Sequence, residues 1–291
     1  MKSFIKTVSF TLLFLIVIIL AGELVFQSWP HDNVYTFKHE YMEEHCEDIK
    51  TLLIGHSQME YGFNPHVLGD SVFNLAMCGR VIYYDVELLK RYMPRMKNLK
   101  TVILPMGYSF NNFNKFYKTQ KNRAPYLFYY YKDMGIAYPQ FMKKIWLPYF
   151  FSVKDIKKDG TVFPVDSMGW AKVDIEYNGS APNDTLLLHQ VLSEEYISSL
   201  TEISKICDIH NVRFIIITFP YADSFLKETT GIGIANLNQT ILSVKSIHPV
   251  EYGNYISDSC FRDNNLYIDP THLNARGATQ FALRVKKDFN L

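Results

Sequence analysis

Short apolar runs alternate with amphipathic stretches along most of the chain. Five runs have the length of buried strands, and turn residues bound them: residues 51–54, 72–76, 101–106, 213–220 and 265–269. Continuous apolar runs of this length are typical of strands that are buried on both faces, as in a parallel sheet. Helical spacing appears at residues 85–96, 193–210 and 275–289. The alternation predicts an α/β fold with a doubly wound, mostly parallel sheet and helices on both faces.

The N-terminus has a different pattern. A mostly apolar run, residues 7–26, follows Lys2 and Lys6 and is about long enough to cross a bilayer as a helix. Lysines before the run and none inside it predict one transmembrane anchor over residues 1–28, with the N-terminus cytoplasmic and residues 29–291 outside. A cleaved signal peptide competes with this interpretation, although no A-x-A site follows the run, and a buried core helix is a third.

Residues 111–189 interrupt the alternation and indicate an insertion over one end of the sheet. The first half of this segment is dense in tyrosine and phenylalanine. Such aromatic residues could form a sugar-binding wall or a membrane-facing surface. The simpler interpretation is that they pack a small core of the insertion itself.

Composition narrows the class of function. The chain has 291 residues and a formal net charge of +1, so it lacks the basic excess that nucleic-acid binding needs. The four cysteines are widely spaced and form no C-x-x-C pair, which argues against a zinc site. They could form one or two disulfides or remain buried thiols. We expect no nucleic-acid partner, no metal and no cofactor.

Candidate chemistry follows the predicted strands, where ligands bind in open α/β sheets. Ser57 comes after the first strand in Gly55-His56-Ser57. The glycine permits a tight turn from which the serine hydroxyl and backbone N–H can meet a reacting carbonyl. Taken alone, a serine in this place is more often a turn or capping residue.

Asp269 and His272 are three residues apart, between the last predicted strand and the last helix, for which Asn274 is a candidate N-cap. Pro270 restricts the backbone, so the carboxylate can orient one imidazole nitrogen while the other accepts a hydroxyl proton. The alternative is a helix-entry turn with Asp269 as a capping acceptor and an exposed His272. Other histidines lack an acidic partner at catalytic spacing and receive no role: His66, His189, His210 and His248.

Oxyanion donors are available after two further strands. Gly79 can offer a backbone N–H after the second strand, and Asn111 or Asn112 can offer an amide after the third. Each residue type is also common in loops for conformational reasons alone.

The segments GHSQMEYG, NLAMCG and DPTHLNARG, in this order, resemble three blocks of the SGNH (GDSL-like) hydrolase superfamily. The resemblance covers residues 50–107 and 191–291. With the predicted anchor, it is closest to membrane-anchored DltD-like and AlgX/AlgJ-like cell-envelope proteins. It implies an SGNH/flavodoxin-like three-layer sandwich with Ser57 as nucleophile, His272 as base and Asp269 as the residue that orients it.

The resemblance also implies an oxyanion hole made by the backbone N–H groups of Ser57 and Gly79 with Asn111. The usual Gly-x-Asn-Asp block reads GYSFNN here, so Ser109 or Asn112 could replace Asn111. The first block usually has Asp where this chain has His56. That histidine could contact substrate or could be a strand-end residue hydrogen-bonded to a loop.

The implied function is a serine esterase or O-acyltransferase that acts on acyl esters, with acetyl expected, of cell-envelope glycans outside the cytoplasm. The acceptor would be water in an esterase or a glycan hydroxyl in a transferase, and a transferase could work with a membrane-bound acyl-transfer partner. An alternative from another class is a catalytically inactive accessory or binding subunit of an envelope polysaccharide or lipid modification system. A lipase or thioesterase is a third hypothesis.

Overall fold

The computed structural model describes residues 1–28, 34–107, 163–177, 194–228 and 231–291. The helices of these residues are α1 (Lys2–Ser28), α2 (Val34–His45), α3 (Ser57–Gly62), α4 (Ile82–Tyr92), α5 (Glu194–Ile209), α6 (Asp223–Glu228), α7 (Gly231–Lys245) and α8 (Ala275–Phe289). The strands are β1 (Thr51–Leu53), β2 (Val72–Asn74), β3 (Thr101–Pro105), β4 (Arg213–Thr218), β5 (Glu251–Asn254), β6 (Tyr267–Asp269) and β7 (His272–Leu273).

Five strands form one parallel sheet in the order β2-β1-β3-β4-β5. Successive side chains of a strand point to opposite faces, and both faces are covered. Leu52 and Val102 pack into a core shared with α2, α4 and α5. Their neighbours Leu53 and Ile103 pack into a second core with α3 and α8. The predicted α/β fold, with a parallel sheet and helices on both faces, is confirmed.

The prediction for the last strand of the sheet was wrong. Residues 267–269 form β6, which pairs antiparallel with β7 in a separate two-stranded sheet. The fifth strand of the main sheet is β5, which pairs with β4 and with no other strand among the described residues. The side chains of β5 are partly or fully exposed, so this edge strand carries no apolar run that the sequence pattern could reveal.

The helix predicted over residues 275–289 is confirmed, together with its N-cap. The side chain of Asn274 accepts hydrogen bonds from the N–H groups of Arg276 and Gly277, each at 3.1 Å. The apolar face of α8 is buried against β4 and α3 through Phe281 and Val285. This helix follows directly on His272 and Leu273, so its position also fixes that of β7.

The N-terminal segment is helical from Lys2 to Ser28, and many of its apolar side chains are exposed, among them Phe4, Phe10 and Leu13. Among the residues that the structure describes, no helix has the length and apolar character needed to cross a membrane. The anchor predicted over residues 1–28 falls partly on side chains outside the described set and stays a prediction.

Only residues 163–177 of the predicted insertion are described, and they form no helix or strand. Ala171 N–H donates to Glu60 O at 3.2 Å, and Tyr177 N–H donates to Tyr267 O at 2.9 Å. This stretch therefore contacts α3, which begins with Ser57, and β6, which ends at Asp269. The aromatic residues of the insertion's first half lie outside the described residues.

Candidate active site

The turn after β1 delivers Ser57 to the start of α3. Gly55 has a φ of +110°, and a Cβ at this position would lie 2.5 Å from Cδ of Pro105, so a larger residue does not fit. His56 then caps the helix, since its Nδ1 accepts from the Gln58 N–H at 3.4 Å. Ser57 is the first residue of the helix, and 6% of it is exposed.

The structure brings Ser57, His272 and Asp269 together. The Ser57 Oγ lies 2.7 Å from His272 Nε2. On the other side of the ring, His272 Nδ1 lies 2.8 Å from Asp269 Oδ2 and 3.0 Å from Asp269 Oδ1. The carboxylate favours the tautomer with the proton on Nδ1, which leaves Nε2 as the acceptor for the serine hydroxyl. The predicted contact between Ser57 and His272 is confirmed, while the catalytic roles stay a prediction.

Asp269 is held as a carboxylate by its hydrogen bonds. Oδ1 accepts from the N–H and hydroxyl of Thr271 at 2.8 and 2.9 Å and from the His272 N–H at 3.0 Å. Burial raises the pKa of Asp269. The hydrogen bond and charge of His272 and the donors of Thr271 lower it by more, so that the pKa is about 2. The residue therefore combines both sequence interpretations, because it accepts from the turn backbone and also orients the imidazole.

The loop between β6 and β7 is attached to the rest of the domain by hydrogen bonds. Gln58 Nε2 donates to Thr271 O at 3.0 Å, and the Ala222 N–H donates to Pro270 O at 2.9 Å. The ring of Tyr61, one turn after Ser57 on α3, lies 5.8 Å from the His272 ring. These contacts keep the imidazole next to the nucleophile although the hairpin lies outside the main sheet.

The turn after β2 carries the predicted oxyanion donor Gly79, which has a φ of +71°. The Met77 N–H donates to Gly55 O at 3.0 Å, so this turn is attached to the turn before Ser57. Within the described part of the chain, neither the Ser57 N–H nor the Gly79 N–H donates to a protein acceptor. Both groups therefore have the capacity to bind an oxyanion. The predicted third donor, Asn111 or its substitutes Ser109 and Asn112, lies outside the described residues.

His56 is buried, with 5% of the residue exposed. Burial lowers its pKa well below the usual value, and electrostatic interactions with His272 and Arg80 lower it further. The imidazole therefore stays neutral near pH 7. In the structure His56 bonds to the backbone of α3 as its N-cap, and the predicted contact with substrate stays a prediction.

Two buried ion pairs next to the site were missed by the sequence reasoning. Lys38 pairs with Glu60 on α3, and Arg80 pairs with Asp85 on α4. Lys38 lies in a polar stretch of the sequence, so no local pattern marks it as buried. Each charged side chain meets its partner only when the chain folds. Lys38 and Glu60 are 22 residues apart, so no local spacing predicts their contact.

Two histidines for which the sequence showed no acidic partner each lie next to an aspartate in the structure. His66 Nε2 lies 2.7 Å from Asp166, and His248 Nδ1 lies 3.1 Å from Asp208. Both pairs are separate from the triad. Among the described residues, no group of three or more His, Cys, Asp or Glu side chains could hold a metal ion.

No protein-family model matches this chain, and no curated protein matches it. Among solved structures, the chain is similar to a protein described as a "putative platelet activating factor from Streptococcus pneumonia". The two share 14% sequence identity with a TM-score of 0.49, and the alignment covers 95% of this chain and 99% of the other. A likeness at this level carries no argument about the function of this chain.

Proposed function

We propose that this chain is a serine-dependent ester hydrolase or O-acyltransferase of the SGNH type. The observation that carries the proposal is the pair of contacts from Ser57 Oγ to His272 Nε2 at 2.7 Å and from His272 Nδ1 to Asp269 at 2.8 Å. A serine activated by an imidazole that a carboxylate orients is the arrangement of nucleophilic acyl transfer.

The reaction has two steps. Ser57 Oγ attacks the acyl carbon of an ester while His272 Nε2 takes the hydroxyl proton, and His272 then returns this proton to the leaving alcohol. Water or a sugar hydroxyl next attacks the acyl-serine, with His272 again as base, to release an acid or a new ester and restore Ser57. Asp269 stabilises the imidazolium in both steps, and the N–H groups of Ser57 and Gly79 bind the oxyanion.

Two further features support the SGNH assignment. The strand order β2-β1-β3-β4-β5 is that of flavodoxin-like sheets, in which ligands bind where the chain reverses direction across the sheet, beside β1 and β3. Ser57 follows β1, and the three sequence blocks occur in the order that the superfamily resemblance requires.

The location and substrate are part of the proposal. Lysines precede the apolar N-terminal run, which places the catalytic domain outside the cytoplasm if the run is an anchor. The exposed apolar side chains of residues 4–20 would then be covered by lipid. The choice of acetylated envelope glycans, and of a membrane-bound acyl donor in the transferase case, rests on the family resemblance alone. Deletion of residues 1–28 should release the protein from the membrane fraction, and continued sedimentation with membranes would contradict the anchor.

A fluorophosphonate serine probe tests the chemistry directly. The full chain should form an adduct at Ser57 and should hydrolyse p-nitrophenyl acetate, whereas Ser57→Ala should lose both properties. Ser243→Ala, which changes an exposed serine on α7, is the matched control and should behave as the parent chain. Absence of both the adduct and hydrolysis in the parent chain would favour the accessory-subunit function. Transfer from the same ester to an oligosaccharide hydroxyl would separate an acyltransferase from an esterase.

A further inference from the structure

Two buried ion pairs contact the turn that carries Gly79. Lys38 Nζ lies 3.2 Å from Glu60 Oε1, and Arg80 Nη2 lies 2.9 Å from Asp85 Oδ1. All four side chains are 1% exposed. Buried charged side chains are normally paired and hydrogen-bonded. The further hydrogen bonds of these four side chains therefore indicate which part of the protein they hold in place.

The Lys38–Glu60 pair binds the backbone of the turn. Glu60 Oε2 accepts from the Cys78 N–H at 2.5 Å, and Lys38 Nζ donates to Ala76 O. Glu60 is on α3, three residues after Ser57. One buried pair therefore attaches two backbone groups of the turn to the helix that carries the nucleophile.

The Arg80–Asp85 pair links the end of the same turn to its beginning and to the turn before Ser57. Arg80 Nη2 donates to Leu75 O at 2.7 Å, and Asp85 Oδ1 accepts from the Gly55 N–H at 3.0 Å. Gly55 is two residues before Ser57. Gly79 thus lies between two residues, Cys78 and Arg80, that are each bonded to a buried charged partner.

Stability alone does not account for these charges. Well-packed apolar side chains of similar volume are often as stabilising as a buried ion pair. Apolar side chains could not, however, accept from the Cys78 N–H or donate to Ala76 O. What apolar replacements would lose is the attachment of the turn to α2 and α3 through these two hydrogen bonds.

We infer that Lys38 and Glu60 are positioning residues that fix the turn of Gly79 relative to α3, and so fix the Gly79 N–H as an oxyanion donor for the reaction at Ser57. This inference rests on the proposed function. An oxyanion hole works because its donors are oriented before the reaction, and a displacement of about 1 Å can cost about 100-fold in rate. The pair acts through Gly79 and touches neither the substrate nor the reacting atoms.

The double variant Lys38→Met/Glu60→Met tests the inference in the full chain. It removes both charges together, so no buried charge is left unpaired, but it deletes the bonds to Cys78 and Ala76. We expect the kcat for p-nitrophenyl acetate to fall at least about 10-fold with KM within about twofold, and the thermal midpoint to fall as well, because the Cys78 N–H and Ala76 O lose their buried partners. A folded double variant with an unchanged kcat would overturn the inference.

Glu43→Gln is the matched control. Glu43 is also on α2 and pairs with Arg91 and Arg95, but it does not contact the turn. This variant should lose stability and keep its kcat. If the double Met variant does not fold, Lys38→Met/Glu60→Gln retains an acceptor for the Cys78 N–H and is measured in its place, with a smaller fall in kcat expected.

Hydrogen exchange of residues 75–81 gives a readout that does not depend on activity. These amides should exchange at least about 10-fold faster in the double variant than in the parent chain, and Glu43→Gln should leave them unchanged. If the parent chain hydrolyses no ester, the proposed function fails while this measurement still decides whether the pair holds the turn. Equal exchange in the double variant and the parent chain would refute that role.

Discussion

The two halves of the candidate site are built in opposite ways. Ser57 belongs to a buried half, in which no residue from His56 to Glu60 is more than 6% exposed. His272 and Asp269 belong to an exposed half, a two-stranded hairpin in which their side chains are 22% and 46% exposed. The buried half is held by ion pairs, and the exposed half is held by single hydrogen bonds.

This difference matches what each half would do in acyl transfer. Oxyanion donors are most effective in a dry, pre-ordered setting, because hydrogen bonds to charge are stronger where water is excluded. The base must instead exchange protons with the leaving alcohol and the incoming acceptor, so the imidazole has to be reachable.

The largest effect should come from the exposed half. His272→Ala removes the proton acceptor for Ser57, and kcat/KM for p-nitrophenyl acetate should fall about 10⁴-fold or more. The unfolding free energy should change little, because the side chain is partly exposed. His248→Ala, which removes a histidine paired with Asp208 away from the site, is the control. Near-normal hydrolysis by His272→Ala would exclude the triad.

Stability should respond most to the buried half. Glu60→Gln leaves Lys38 buried without its charged partner, and the unfolding free energy should fall by about 3–5 kcal/mol. Glu251→Gln breaks the exposed pair with Arg213 and should cost less than about 1 kcal/mol. Urea unfolding of the three proteins measures both losses. Similar losses for the two substitutions would show that burial does not distinguish the pairs.

The pH dependence of stability offers a smaller test of the buried half. His56 stays neutral in the folded protein because burial lowers its pKa, while in the unfolded chain it binds a proton below about pH 6.5. Stability should therefore fall as the pH falls below 6.5, with a slope of about 1.4 kcal/mol per pH unit from this residue. His56→Asn keeps a capping side chain and should remove that slope, whereas exposed His210→Asn should not. An unchanged slope in His56→Asn would contradict the neutral state.

The weakest expected effect concerns the contact between the halves. Gln58→Met removes the hydrogen bond to Thr271 O but keeps the volume of the side chain. The loss in unfolding free energy should be about 1 kcal/mol, which is typical of one hydrogen bond. Amide exchange should increase in residues 269–273 and not in residues 75–81, because the buried half has its own supports. Faster exchange in both segments would mean that the halves form one cooperative unit.

Local patterns predicted a large part of the fold. The strands β1 to β4 could be predicted because both of their faces are buried, which gives each an apolar run. The N-cap at Asn274 could be predicted because capping involves residues only two and three positions apart. The edge strand β5 was missed because an exposed strand needs no apolar pattern. The position of residues 267–269 was predicted wrongly because strand pairing is not a local property.

The same distinction applies to the candidate site. The sequence by itself determined the dyad of Asp269 and His272, since three residues and a proline already confine the two side chains to one turn. It also indicated the tight turn at Gly55, which has a positive φ angle in the structure. Only the tertiary structure decided that His272 meets Ser57, 215 residues away, and that Lys38 meets Glu60. Such contacts depend on how helices pack across a sheet, and no spacing within the chain encodes them.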